Sequence, residues 1–300
     1  MNRSSVNWHG PMPAVVTPFD ERGAIDASAL RDNLVRLIDN GATGFIVGGC
    51  TGEFWAMSQE ERIELFRLAA RAVAGRATVI VGTSAIRQDE VMHLNKAAAD
   101  AGCDGALILP PHFVALTDDE IFAHFEAISE RAALPIMLYN IPQCATNAIT
   151  PALALRISTL DQVVAIKESA GNWRNFHAIL MAVRDKLRVF CGPSSVYGVP
   201  AVAAGADGII DCFPNVWAPG GLDLYHAAVA GDDMRARQLQ EMGLRLTELF
   251  TSEGRSLYPA TKAGMEILGV RAGKPRLPLK PLSQEQYDGL RRGMAALGLI

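Results

Sequence analysis

Hydrophobic runs alternate with longer amphipathic stretches from near the N-terminus to about residue 210. The runs are apolar on both faces and rich in β-branched residues, as buried parallel strands are. The longer stretches repeat apolar residues every three or four positions, which predicts helices. Strands are predicted at intervals typical of βα units, centred on 14–16, 44–47, 78–81, 105–109, 135–139, 163–167, 188–191 and 208–210.

Polar residues at the starts of the helical stretches support these positions. Asp26 precedes the first stretch and can cap it. Two stretches begin with the pattern of a capping box, Ser58–Glu61 and Thr117–Glu120. Strands that alternate with helices pair in parallel, and eight such units predict a (β/α)8 TIM barrel.

Beyond the eighth strand the pattern is helical only. We therefore predict a barrel through strand eight over residues 1–217, and a last barrel helix plus a C-terminal helical extension over 218–300, as one continuous unit. A doubly wound open sheet is the alternative fold. It is disfavoured because Gly48–Glu53 lacks the GxGxxG pattern of a dinucleotide-binding turn.

Composition narrows the possible partners. The chain has 300 residues, of which 49% are hydrophobic, and a net charge of −4 without a basic block, which disfavours nucleic acid. No apolar run is long enough to cross a bilayer, and the N-terminus lacks a signal-peptide pattern. The five cysteines are scattered, without zinc-ligand or disulfide spacing. We expect a cytoplasmic protein with a small-molecule substrate, no metal and no cofactor.

The segment Val163–Ser169 is an apolar strand that ends in a lysine. Alternation along the strand predicts that Val163, Ala165 and Lys167 share one face. An ammonium group in a buried strand is costly, so its pKa should fall, and the neutral amine could form a Schiff base with a carbonyl. The alternative is a lysine that turns to solvent or pairs with Glu168.

Two further polar residues stand at strand ends. Thr51 follows the second strand and Tyr139 ends the fifth, next to the sixth strand with its Lys167. The carboxyl ends of barrel strands share one mouth, so a phenol there could move protons for an imine. The turn over residues 49–53 offers a hydroxyl and backbone N–H groups that can hold a carboxylate. Together these groups would select an α-keto acid.

Three motifs of the chain are Gly49-Cys50-Thr51-Gly52-Glu53, Tyr139-Asn140-Ile141-Pro142 and Ile166-Lys167-Glu168-Ser169-Ala170-Gly171. In these motifs the chain resembles the dihydrodipicolinate synthase / N-acetylneuraminate lyase family. The resemblance extends from about Pro13 to the C-terminus. It implies a TIM barrel with a C-terminal helical extension, assembled as a homodimer or homotetramer, and a class I aldolase-type lyase.

The resemblance also implies residue roles. Lys167 would form the imine with pyruvate or another 2-oxo acid, and Tyr139 would shuttle protons. Thr51 would take part in catalysis and, with Gly49 and Cys50, hold the carboxylate of the keto acid. The other positions expected to line the substrate pocket are Gly192, Ile210, Phe113, Cys144, Ser169 and Ser194.

Several positions depart from the family pattern. Cys144 stands where dihydrodipicolinate synthases carry an arginine for a second carboxylate, and Phe113 stands where they carry a tyrosine that completes a proton relay across a subunit interface. Cys50 replaces the first hydroxyl of its motif. Ser194 and Ser195 replace the acidic pair of sialic-acid lyases. A thiol cannot give the bidentate grip of an arginine. We therefore expect a different substrate, such as a 2-keto-3-deoxy sugar acid or a hydroxyproline-derived keto acid.

Three alternative functions stay open. The chain could be an authentic 4-hydroxy-tetrahydrodipicolinate synthase, or a non-catalytic sensor that binds a keto acid, although a sensor would need neither Lys167 nor Tyr139. A metal-dependent aldolase is disfavoured because the histidines fall mostly in helical patterns. His112 and Asn147 are further candidates for contact with the distal part of the substrate.

Overall fold

Eight parallel strands form the centre of the computed structural model, which describes residues 1–300. Neighbours follow the order β1-β8-β7-β6-β5-β4-β3-β2. A parallel bridge between Ala14 and Ile46 joins the segment after β1 to β2 and closes the ring. This confirms the predicted TIM barrel. The strands are β1 Gly10–Pro11, β2 Gly44–Val47, β3 Thr78–Gly82, β4 Gly105–Ile108, β5 Ile136–Asn140, β6 Val163–Glu168, β7 Arg188–Cys191 and β8 Gly208–Ile209.

The first strand begins earlier than predicted. It lies at Gly10–Pro11 with its bridge at Ala14, rather than over 14–16. Pro11 and Pro13 have no N–H to donate. The residues that alternate with them donate towards β8 instead, with the Gly10 N–H bonded to the Asp207 carbonyl and the Ala14 N–H to the Asp211 carbonyl. The prolines contribute only carbonyls, which accept from the β2 side. The sequence signal was lost because proline usually argues against a strand.

Helices occupy the spaces between strands and all of the C-terminal region. The predicted cap at Asp26 and both capping boxes, Ser58–Glu61 and Thr117–Glu120, are confirmed. The helices are α1 Ala27–Asp39, α2 Gln59–Val73, α3 Gln88–Asp100, α4 Asp118–Ser129, α5 Pro142–Ala145, α6 Pro151–Ile157, α7 Trp173–Val183, α8 Ser194–Ala203, α9 Ala218–Ala230, α10 Asp233–Thr251, α11 Leu257–Ile267 and α12 Gln284–Ala296.

The buried apolar residues fall into three clusters. The largest has 49 residues and lies between the strands and the surrounding helices, with Phe45 and Leu34 among them. A second, of 16 residues, fills the inside of the barrel. The third joins Val16 and Phe213 at the barrel to Phe250 and Met294 of the C-terminal helices. The extension is therefore packed against the barrel through an apolar contact of its own. The division at residues 217 and 218 stays a prediction.

Strand β6 contains an irregularity that corrects the predicted alternation. Its pairing with β5 shifts between Ile136 and Met137, whose partners are Val163 and Ala165. Val164, the extra residue, packs inside the barrel together with Ala165, whereas Val163 packs on the outside. The prediction that Val163 shares a face with Lys167 is therefore wrong, because a bulge adds one residue and resets the alternation.

Of the helices, none is both long and apolar enough to span a bilayer.

Candidate active site

Lys167 lies inside the barrel near the carboxyl end of β6, only 6% exposed. Its Cα is paired with that of Tyr139 on β5, and its Nζ lies 4.3 Å from the centroid of the Tyr139 ring. Burial lowers the pKa of Lys167 to about 8, while negative charge on Cys50, Asp211 or Cys212 would act in the opposite direction. A substantial fraction of the amine is therefore neutral near pH 8 and able to attack a carbonyl.

The alternative environments for this lysine do not occur. The side chain is not in solvent, and Glu168 lies on the other side of the strand. The Glu168 carboxylate, completely buried, accepts from the Ala170 N–H at 2.8 Å and from the Asn140 amide. Asn140 in turn accepts from the Ile149 N–H at 2.8 Å. These contacts tie the ends of β5 and β6 together and so hold Tyr139 and Lys167 in register.

Tyr139 is a buried phenol whose hydroxyl points to a thiol. It is 3% exposed, and its hydroxyl donates to the Cys50 sulfur at 3.7 Å. Burial raises the pKa of Tyr139 well above its ordinary value, so the group stays protonated at neutral pH. Burial also raises the pKa of Cys50. Both groups are therefore neutral proton donors in the resting site.

The turn after β2 places Cys50 and Thr51 at the mouth of the barrel. Gly48 has φ +62° and Glu53 has φ +57°, and a Cβ on Gly52 would lie 2.9 Å from the Gly48 Cα, so the turn is tightly wound. The Thr17 hydroxyl donates to the Gly52 carbonyl at 2.7 Å and fixes it. Cys50 and Thr51 are both buried, as is the predicted Gly49.

Residues that follow β6, β7 and β8 pack against one another beside the end of β6. A Cβ on Gly192 would lie 1.7 Å from the Ser169 hydroxyl oxygen, so Ser169 occupies the space that a side chain there would fill. That hydroxyl is buried and has no hydrogen-bond partner. The Ser194 hydroxyl donates to Asp211 at 3.2 Å. Ile210 packs inside the barrel in the same cluster as Tyr139.

The structure places other predicted residues at the rim or in supporting positions. Phe113 is 86% exposed with φ +79°, and Cys144 is an exposed residue of α5. Asn147 has its amide fully engaged, because it donates to the Pro111 and Val114 carbonyls and accepts from the Leu116 N–H. It therefore holds the loop that carries His112 and Phe113 and has no free group for a ligand. Ser195 accepts from the Thr247 hydroxyl.

Sequence reasoning missed two groups near the site. Asp211 follows β8 and accepts from the backbone N–H groups of Ser195 and Cys212 at 2.7 Å each. Tyr258, from α11 of the extension, packs against the barrel-interior cluster, and its ring centroid lies 5.6 Å from that of Trp55. Asp211 could have been found by extending the strand-end argument to β8. Tyr258 lies in a purely helical region where no local pattern pointed to the barrel mouth.

A separate cavity of about 800 Å³ lies elsewhere, between the segment after β1 and the end of α11. Its lining includes Asp20, Asp26, Glu266 and Lys274, and none of the residues around Lys167. The site at Lys167 is therefore identified by its chemistry and burial rather than by the size of an opening.

Comparison with known proteins agrees with this geometry. The model of the dihydrodipicolinate synthetase family matches residues 7–297. The chain is 34% identical to a 4-hydroxy-tetrahydrodipicolinate synthase of Synechococcus elongatus over 288 residues, 95% of each chain. It is 31% identical to an uncharacterized DapA-like lyase of Rhizobium meliloti, over 98% of this chain and 97% of that protein.

Solved structures show the same fold. Dihydrodipicolinate synthase from Aquifex aeolicus superimposes with a TM-score of 0.91 at 30% identity, over 97% of this chain and 99% of that one. The dihydrodipicolinate synthase from Acinetobacter baumannii, solved in complex with pyruvate, gives a TM-score of 0.91 at 28% identity over the same shares of the two chains. The chain therefore belongs to the dihydrodipicolinate synthetase family and is a class I aldolase-type lyase.

Proposed function

We propose that Lys167 forms a Schiff base with pyruvate or another 2-oxo acid. The observation that carries the proposal is the buried Lys167 amine, with a pKa of about 8, packed 4.3 Å from the centroid of the Tyr139 ring. The neutral amine adds to the keto carbon, and the carbonyl oxygen leaves as water after it has been protonated. The resulting iminium withdraws electrons from the neighbouring C–H or C–C bond, which is the basis of aldolase chemistry.

Tyr139 is the proposed proton donor and acceptor. Its raised pKa keeps the hydroxyl protonated, and its position beside Lys167 lets it serve the oxygen of the carbinolamine. Thr51 and Cys50, with the backbone at Gly49, form the proposed binding site for the carboxylate of the keto acid. The buried Ser169 hydroxyl without a partner is suited to a hydrogen bond with the bound molecule.

We propose further that the physiological substrate differs from that of a 4-hydroxy-tetrahydrodipicolinate synthase. The support is the exposed thiol of Cys144 at the position of the expected arginine, and the neutral Ser169 and Ser194 hydroxyls near the imine position. A 2-keto-3-deoxy sugar acid or a hydroxyproline-derived keto acid suits neutral donors better than a second carboxylate does. The name of the Synechococcus relative supports authentic synthase activity as the second candidate.

The imine is tested by trapping with borohydride. Wild-type protein, incubated with pyruvate and reduced, should gain the mass of pyruvic acid less one oxygen, and peptide mapping should locate it on Lys167. Lys167→Ala should gain nothing and should show no turnover, with an unchanged circular dichroism spectrum. Lys96→Ala, at an exposed lysine of α3, is the matched control and should react as the wild type does.

The substrate is tested with a panel of 2-oxo acids, ranked by trapping and then by multiple turnover. Turnover of pyruvate with aspartate semialdehyde at a rate above all other pairs would establish the synthase instead. Trapping on Lys167 without turnover of any panel member would favour the keto-acid sensor. Full turnover by Lys167→Ala would contradict the imine mechanism altogether.

We also propose a homodimer or homotetramer. The support is the family resemblance and the exposure of Phe113 and Val114, which are 86% and 49% accessible on the single chain. A solved relative is described as the first monomeric variant of dihydrodipicolinate synthase. The assembly of this chain is therefore a question for solution measurement.

A further inference from the structure

Next to Lys167 and Tyr139 lies a second pair of side chains, Glu168 and Asn140, on the outer face of the same two strands. The Cα atoms of Asn140 and Glu168 are paired across β5 and β6, as those of Tyr139 and Lys167 are. Both outer side chains are completely buried. Because side chains alternate along a strand, one pair points into the barrel and the next points away from it. The outer pair therefore directly follows the pair that carries the proposed chemistry.

Glu168 is a buried carboxylate without a cation. The chain has two completely buried carboxylates, and the other, Glu53, is paired with Lys262 at 2.6 Å. The Glu168 carboxylate accepts from neutral donors, the Ala170 N–H at 2.8 Å and the side-chain amide of Asn140. Burial raises the pKa of Glu168, and these hydrogen bonds act against the rise. An unpaired acidic group in the interior is costly, so its presence calls for a functional reason.

Hydrogen-bond polarity explains why position 168 requires a carboxylate. The Asn140 side-chain oxygen accepts from the Ile149 N–H at 2.8 Å, so the Asn140 NH₂ group must face Glu168. The second partner, the Ala170 N–H, is also a donor. A carboxylate accepts at both of its oxygens and satisfies the two donors at once. An amide at position 168 would instead place an N–H against one of them.

Main-chain hydrogen bonds extend this connection to a third strand. The Ser169 N–H donates to the Asn140 carbonyl, and the Gly192 N–H donates to the Glu168 carbonyl, each at 2.8 Å. The Cα of Glu168 is also paired with that of Cys191 on β7. Residue 168 is therefore bonded to both neighbouring strands at the end of the barrel where the proposed chemistry takes place.

We propose that Glu168 and Asn140 are positioning residues, which hold Lys167 and Tyr139 at the spacing that imine formation needs. The inference rests on the proposed function, because it concerns the geometry of the same amine and phenol. Both residues face away from the barrel interior and act through the strands that they join, without touching the substrate. A misplacement of about 1 Å can cost about 10²-fold in rate, so disruption of this pair should be visible in the kinetics.

The first test is Glu168→Gln, which keeps the size of the side chain and places an N–H against the Asn140 amide. Protein is mixed with pyruvate and quenched with borohydride at increasing times. The limiting rate of adduct formation should fall by about 10–100-fold. The pyruvate concentration that gives half of this rate should change little, because the proposed carboxylate-binding turn after β2 is untouched. Glu64→Gln, at an exposed glutamate of α2, is the matched control and should leave both quantities unchanged.

The second test exchanges the two hydrogen-bonding roles. Asn140→Asp alone places a carboxylate opposite Glu168 and should also slow adduct formation. In the double variant, Asn140→Asp with Glu168→Gln, the amide at position 168 can donate to the carboxylate at position 140 and still accept from the Ala170 N–H. Part of the lost rate should return. The recovery should be incomplete, because the bond from the Asn140 amide to the Ile149 carbonyl at 3.2 Å stays lost.

Rates are compared per folded molecule, with the folded fraction taken from circular dichroism. A wild-type limiting rate in folded Glu168→Gln would overturn the positioning role, as would a double variant that regains stability but not rate. If the single variants do not fold, the double variant still decides: recovery of folding together with adduct formation supports the pair, and recovery of folding alone overturns it. Absence of any adduct in the wild type would instead overturn the imine proposal, and this inference with it.

Discussion

At the scale of single residues, the site depends on what burial does to the acid–base groups around Lys167. Burial lowers the pKa of an amine and raises the pKa of a phenol or thiol, because it disfavours the charged form of each. Lys167 is therefore partly neutral, while Tyr139 and Cys50 stay protonated. An amine that loses its proton near pH 8 thus lies next to two groups that keep theirs, a combination that suits the proposed imine formation.

The pH dependence of imine formation should follow Lys167. Only the neutral amine attacks the carbonyl, and its fraction rises as the pH passes through the pKa of about 8. The second-order rate constant for trapping pyruvate should increase from about pH 6, reach half its limit near pH 8 and level off above about pH 9. Stopped borohydride reactions across this range measure it. A flat profile, or a midpoint above pH 10, would contradict a buried amine.

Lys167 should also make the stability of the fold dependent on pH. Its pKa is about 8 in the folded chain and 10.5 as the reference value, so the unfolded chain binds the proton more tightly. The free energy of unfolding should therefore rise between about pH 8 and pH 10.5, because the folded chain no longer has to bury a charged amine there. Lys167→Met, which has no charge to bury, should be more stable than the wild type at about pH 7. The difference should shrink at about pH 9.5, and urea unfolding at the two pH values measures it.

Tyr139→Phe tests the proposed proton donor directly. The ring remains, so packing beside Lys167 is kept, but the hydroxyl is lost. Turnover should fall by about 10²–10⁴-fold if the phenol moves protons in the transition state. Tyr225→Phe, whose hydroxyl bonds only a backbone carbonyl far from Lys167, is a suitable control. A loss of less than about tenfold at Tyr139 would leave the phenol without a catalytic role.

At the scale of elements, the turn after β2 is held by a buried ion pair from α11. Lys262, 2% exposed, lies 2.6 Å from the completely buried carboxylate of Glu53, and the Arg276 N–H donates to the same carboxylate at 2.8 Å. Burial lowers the pKa of Lys262, and the charge of Glu53 acts against that change. Glu53 directly follows the Cys50-Thr51-Gly52 segment. Through its Lys262, helix α11 therefore helps to fix the proposed carboxylate-binding site.

Breaking this pair should be costly. Lys262→Met leaves the Glu53 carboxylate buried without its cation, which should reduce the free energy of unfolding by about 3–5 kcal/mol. Adding Glu53→Gln removes the stranded charge and should restore part of the loss. Urea unfolding of the two single variants and the double variant measures the coupling. A loss in the double variant equal to the sum of the two single losses would show that the two side chains act independently.

The elements also show what sequence patterns can and cannot predict. The eight βα units, the helix caps and the strand-end positions of Lys167 and Tyr139 follow from local periodicity, and the structure has them. Strand β1 was predicted too late in the chain because its prolines argue against a strand. The strand forms nevertheless, since its pairing with β8 needs only the alternate N–H groups, which are not those of the prolines. The bulge at Val164 depends on the register against β5, which is a property of two strands. The packing of Tyr258 against the barrel interior joins distant segments, and no local pattern encodes it.

At the scale of the whole molecule, the exposure of the loop residues Phe113 and Val114 bears on whether the chain assembles into oligomers. An apolar ring that is 86% exposed with a positive φ is unfavourable for an isolated chain. Sedimentation velocity should show a dimer or tetramer, and Phe113→Asp should shift it towards smaller species. Leu277→Asp, at a residue that is 76% exposed in the C-terminal region, is the control. A wild-type chain that sediments as a monomer at micromolar concentration would contradict this expectation.

The position of Lys262 on α11 has a consequence for the order in which the chain is made. Protein synthesis proceeds from the N-terminus, so the segment bearing Lys167 and Tyr139 leaves the ribosome well before α11 does. During that interval the growing polypeptide contains Lys167, but it lacks the Lys262 cation that pairs with Glu53 at the turn after β2. We therefore expect the chemistry proposed for Lys167 to begin only after α11 has been translated and has docked against the barrel.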